Sequence, residues 1–208
     1  LTSTNLHTLS ASTTFSGNFA ITAQDFSVAG STPTHTFVGD VTVNGTFTLG
    51  GTGGTCTLNG ATIHAKGAFT ETNGSYRHTG TTALSIDGSG NQTVTFNATG
   101  HATYLNDLPV TIASTGGTVT FANAHHYIAC NLTYSSGTVA FGTSTIHILA
   151  GTPAAHTWDL GAMAAFNNLT IGYGQTLTLN SDANIDGTLT LGDTSYGGGT
   201  LTVNGSDL

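Results

Sequence analysis

The feature that most constrains this chain is a strict two-residue alternation toward its C-terminus. Between residues 166 and 205 four short runs carry an apolar side chain at every second position: Leu169/Ile171, Leu177/Leu179, Leu189/Leu191 and Leu201/Val203. Thr stands between the members of each pair, so an extended backbone would present one apolar face and one hydroxyl face. Gly, Asn, Asp and Ser fill the gaps, and these residues turn the chain because they tolerate positive φ or bond their own backbone. Thr176-x-Thr178 returns as Thr200-x-Thr202, 24 residues on, with Thr188-x-Thr190 halfway. No helical period competes. The pattern predicts an all-β parallel β-helix (β-solenoid) with roughly 24 residues per coil.

The same pattern recurs upstream. DVTVNGTFTLG at 40–50 echoes ANIDGTLTLG at 183–192, and GTCTLNG at 54–60 echoes GTLTVNG at 199–205. Two matched pieces in the same order point to a repeat unit. Residues 1–17, rich in Ser and Thr, read as an opening coil or linker, and 18–208 as the solenoid. Residues 61–90 are the least regular part and hold both basic residues and the sole Glu, Glu71. They read as an insertion on one face, where binding tends to be placed.

Charge excludes whole classes of partner. The 208 residues contain only two Lys and Arg, Lys66 and Arg77, against ten Asp and Glu, a formal net charge of −8. Two cations cannot neutralise a phosphate backbone, so nucleic acid is not an expected partner. Nor is membrane insertion, since no run of 18 apolar residues exists. Cys56 and Cys130 lie 74 residues apart without a CxxC. They read as two small buried thiols, with a disulfide as the alternative.

Several residues invite a chemical reading. His125, His126, His147, His156 and Asp159 would suit a transition metal if they converged. Adjacent histidines on a strand point to opposite faces, so only one of His125 and His126 can face a given site. No HxxxH or HExxH spacing is present, and surface or turn histidines are the simpler reading. Asp182, Asp186 and Asp193 could offer hard oxygens to calcium, but turn-forming Asp is the simpler reading. Lyase chemistry would fall to Lys66 or Arg77, and glycosidase chemistry to a pair among Asp40, Asp87, Asp107 and Asp159. Tyr76, Arg77 and Trp158 are the candidate sugar contacts. TxT pairs from 46/48 to 200/202 raise ice binding, although their uneven intervals argue against one unbroken row. No cofactor and no catalytic residue is expected.

The runs FNNLTI…TLTL…GTLTLG…GGGTLTVNG, and the earlier LPVTI…GGTVTF…NLTYSSGTVAFGTSTIHI, resemble the repeats of large bacterial adhesin-like surface proteins and of phage structural proteins. That resemblance covers most of residues 18–205 and implies a right-handed, non-catalytic rod that displays or spaces binding elements. The expectation is therefore a structural or adhesive segment, extracellular, at a cell surface or on a virion. It would belong to a larger chain or assembly, with carbohydrate or another copy as partner. A phage appendage or filament subunit, an ice-binding solenoid and a polysaccharide-degrading β-helix enzyme are the alternatives.

Overall fold

The structure, a computed structural model, describes residues 2–9, 13–15, 21–28, 34–50, 55–58, 61–72, 77–79, 83–97, 108–149, 154–172, 174–192 and 198–204. Among them are strands and turns and no helix. The strands form one sheet of 13 and two of 4, with parallel ladders in each. The chain is a parallel β-solenoid whose turns follow about 22 residues apart. The longer expected interval holds at the C-terminal end, where Thr176 lies beside Thr200. Upstream turns are tighter, with Val41 beside Ile63 and Phe47 beside Phe69.

Alternation sets which residues enter the core. Val41, Val43, Ile63, Ala65, Leu84 and Ile86 point inward, and the Thr, His and Ser that alternate with them are half-buried on the outer face. Stacking these strands in register builds a continuous column: Val41, Ile63, Leu84, Val110, Leu132, Trp158, Leu179 and Val203. From Val41 through Leu179 its members are buried. Each such side chain contributes about 1.5–3 kcal/mol by leaving water.

Beside that column runs a spine of aromatic rings. Phe26 stacks on Phe47 with ring centroids 6.1 Å apart, and Phe47 on Phe69 at 5.8 Å. Phe69 meets Phe96 at 5.1 Å, and Phe96 meets Phe121 at 6.1 Å. The line continues through Phe141 at 4.5 Å to Phe166 at 4.6 Å, and ends on Trp158 at 5.6 Å. Offset and tilted pairs of this kind add about 0.5–1.5 kcal/mol each beyond the area they bury.

The corners are held by Asp and Asn. At these corners an Asx side chain one turn back accepts a backbone N–H of the following turn. Asp40 Oδ1 accepts from Thr62 N–H at 2.8 Å, Asn91 Oδ1 from Thr118 at 3.0 Å, Asn131 Oδ1 from Thr157 at 2.8 Å and Asn168 Oδ1 from Thr188 at 2.9 Å. Asp25 does the same for Thr46 at 2.5 Å. Small residues let adjacent corners touch: a Cβ on Gly88 would clash with the Lys66 carbonyl oxygen.

Strands also run through the two segments where the alternation is hardest to read. Within 61–90 the strands Thr62–Ala65, Phe69–Thr72, Arg77–Thr79 and Ala83–Ile86 are each in register with their neighbours. The polar residues of this stretch obscured the period because Lys66 and Asp87 lie just beyond strand ends and His64 on an outward position. Residues 1–17, expected as a coil or linker, contribute Thr2–Leu9 and Thr13–Phe15, which pair with Ile21–Val28 and Thr34–Phe37.

Candidate functional site

The strands Thr62–Ala65 and Ala83–Ile86 end at stacked corners, Lys66-Gly67 and Asp87-Gly88. Register places Lys66 and Asp87 on consecutive turns and sets His64 on the outer face between Thr42 and Ser85. The Asp87 carboxylate gathers both side chains: Oδ2 lies 2.7 Å from His64 Nδ1 and 2.9 Å from Lys66 Nζ. Lys66 also reaches the Asp87 carbonyl oxygen at 3.4 Å. The second carboxylate oxygen, Oδ1, is buried and accepts no hydrogen bond. A cavity of about 450 Å³ opens beside the cluster, lined by Asn44, Lys66, Asp87, Ser89 and Thr115.

This arrangement has definite chemistry. With Asp87 ionised, the proton of a neutral His64 sits on Nδ1, which leaves Nε2 as a hydrogen-bond acceptor. Such a pair is the base half of an acyl-transfer site. Ser85 is in register with His64, but no hydrogen bond joins the two among the described residues. The lining offers a cation, a carboxylate, an amide and two hydroxyls, a donor and acceptor set suited to a neutral polyhydroxyl ligand. Sequence reading had singled out Lys66 and Asp87 separately. Only the stacking of turns about 22 residues apart brings them together.

The histidine candidates separate. His125 and His147 stand on the outer face of neighbouring strands, His125–Tyr127 and Thr145–Ile148, with His125 Nδ1 2.9 Å from His147 Nε2. Tyr127 stacks on the His147 ring at 4.9 Å. His126 points the other way and is fully buried against Phe121, as strand alternation requires. Its Nε2 faces the Asn123 N–H at 3.1 Å and its Nδ1 faces the Phe96 N–H at 3.2 Å. Burial, reinforced by the neighbouring His125 and His147, pushes its pKa down to about 4. His156 is buried on a different sheet and pairs with Gln175 Oε1 at 2.9 Å, and Asp159, three residues on, is exposed. Among the described residues no group of three or more His, Cys, Asp or Glu side chains could hold a metal ion.

Of the candidate sugar contacts, Trp158 is fully buried and donates its indole N–H to the Cys130 carbonyl at 2.9 Å, so it packs the core and offers no stacking platform. Arg77 opens the strand Arg77–Thr79. Tyr76, Asp107 and Asp193 lie outside the described residues. Cys130 is a core residue, as expected. Asp40 is engaged as a corner cap. Glu71 is buried, in register between Leu49 and Phe96.

No family model, no curated protein and no solved structure matches the chain.

Proposed function

We propose that the chain is a stiff, non-catalytic rod of an extracellular or virion-surface protein, spacing or presenting adhesive elements. The observation that carries this reading is the aromatic spine from Phe26 to Phe166. From Phe26 to Phe166 each ring touches the next, so load along the axis passes through packed core as well as through backbone ladders. The resemblance of its alternating runs to adhesin-like repeats supports the same reading. So does a surface solvated by hydroxyls and amides in place of charge. The cavity beside Asp87 is where a rod of this kind would contact a neutral glycan.

Pulling single molecules end to end tests it. A rod of stacked turns yields a sawtooth with increments of about 75 Å, the extended length of one turn of about 22 residues. Collapse in a single low-force event would overturn the mechanical role. Turnover of a polysaccharide, abolished by Asp87→Asn, would overturn the non-catalytic one.

One observation favours a second reading, ice binding. The uneven TxT intervals close into rows once the turns are stacked. Thr48, Thr70 and Thr95 lie side by side on consecutive turns, as do Thr157, Thr178 and Thr202, with Thr176 beside Thr200. Rows about 4.8 Å apart along the axis present hydroxyls at a regular spacing. Inhibition of ice recrystallisation, lost on Thr178→Tyr, would establish this reading. Its absence at high protein concentration would exclude it.

A further inference from the structure

We propose that His125 and His147 form a two-histidine surface site for a divalent transition metal, with Cu(II) or Ni(II) the best fit. The inference rests on neither the rod nor the ice-binding reading. The two residues lie on neighbouring strands of one parallel ladder, where His125 is in register with Thr145 and His147 with Tyr127. The ladder fixes the two backbones one strand spacing apart, about 4.8 Å, so both imidazoles are brought together before any ligand arrives. Their facing nitrogens, His125 Nδ1 and His147 Nε2, are 2.9 Å apart, hydrogen-bond distance, so one donates to the other. His125 is exposed and His147 is half-buried, and Tyr127 stacked at 4.9 Å braces the second ring.

The separation selects the metal. Two nitrogens 2.9 Å apart, each about 2.0–2.1 Å from one ion, subtend about 90° at it. That is the cis angle of square-planar and octahedral coordination, which Cu(II) and Ni(II) adopt. A tetrahedral ion needs a wider bite, so Zn(II) fits less well. Imidazole is a preferred ligand for these metals, and the net charge of −8 draws cations to the surface. Binding displaces the proton between the two nitrogens, and each ring turns its nitrogen away from the other ring and toward the ion. Water completes the coordination shell. His126, buried on the inner face, takes no part.

Titration of the purified chain with CuCl₂ in a non-coordinating buffer tests the site, read by calorimetry and by electron paramagnetic resonance. The expected result is one Cu(II) bound with hyperfine coupling to two imidazole nitrogens. His125→Ala and His147→Ala each weaken it at least about tenfold, and the double variant abolishes it. Cu(II) also raises the melting temperature of the wild-type chain, because the ion bridges two successive turns. His125→Gln and His147→Gln keep a hydrogen-bonding side chain but lose the imidazole, so loss of binding in these folded variants is loss of ligation. Affinity unchanged in the double variant, or a spectrum lacking nitrogen coupling, would overturn the assignment.

Discussion

The ring of Phe69 lies 5.1 Å from the ring of Phe96, although the backbone partner of Phe69 in the ladder is Val94. The spine therefore steps two residues along the strand at this turn and continues through Phe121. Removing a ring from its middle breaks contacts on both sides, in a core whose neighbours are pinned by parallel ladders and cannot collapse. Phe69→Ala is expected to cost about 3–5 kcal/mol, and Phe69→Leu, which keeps most of the volume, under about 1.5 kcal/mol. Urea denaturation followed by circular dichroism measures both. A loss below about 1 kcal/mol for the alanine variant would mean the spine is ornamental.

The corner caps make a separate prediction. Asn131 Oδ1 accepts the Thr157 N–H at 2.8 Å across one turn, at an exposed corner. Asn131→Ala leaves that donor to water and is expected to cost about 1 kcal/mol. Asn131→Asp keeps the acceptor oxygen and should cost less. Amide exchange at Thr157 is the sharper readout: it should speed up in the alanine variant while the buried amide of Leu177 stays protected.

What was legible in advance follows from what alternation can encode. Pairs such as Leu169/Ile171 and Leu177/Leu179 announce strand faces directly, and the opposite orientations of His125 and His126 follow from the same rule. The stacking of one turn on another was legible only where the repeat is clean, near Thr176 and Thr200. Elsewhere the offset between stacked residues varies, from 20 at Asn168 and Thr188 to 27 at Asn91 and Thr118. Corner loops absorb the difference, so the phenylalanines of the spine and the Lys66–Asp87 pair sit at no fixed interval. Residues 61–90 seemed irregular because polar side chains cluster at corners and on the outer face, and neither position reports on the core. Trp158 is a candidate sugar contact by residue type alone, with core or turn placement the simpler reading, and the turns packed around it bury it.

His126 makes stability depend on pH. Its folded pKa of about 4 lies below the ordinary value of 6.5, with burial as the main cause. As pH falls through 6.5 the unfolded chain binds a proton there that the folded chain refuses. Stability therefore drops with falling pH between about 6.5 and about 4, and levels below, a total of order 3 kcal/mol. His126→Gln, which keeps a polar group beside the Phe96 and Asn123 amides and does not titrate, should flatten the slope over that window. Melting temperatures at half-unit pH steps for the two proteins provide the comparison. An equal slope in both would place the acid sensitivity elsewhere.

Two glycines in one corner should respond in opposite directions. A Cβ at Gly88 would strike the Lys66 carbonyl oxygen, part of the backbone of the turn beneath, which cannot retreat without parting the ladder between Thr62–Ala65 and Ala83–Ile86. At Gly90 a Cβ meets nothing within 4 Å. Gly88→Ala is therefore expected to destabilise by about 1–3 kcal/mol. Gly90→Ala should be neutral or stabilising by up to about 1 kcal/mol, because alanine reduces the freedom of the unfolded chain. Denaturant midpoints decide the matter. If the corner turns are spaced by contact between successive backbones, only the first substitution can push them apart. The Lys66–Asp87 ion pair, which spans that contact, should loosen with it, so the Gly88→Ala variant should also lose any glycan affinity that the cavity confers.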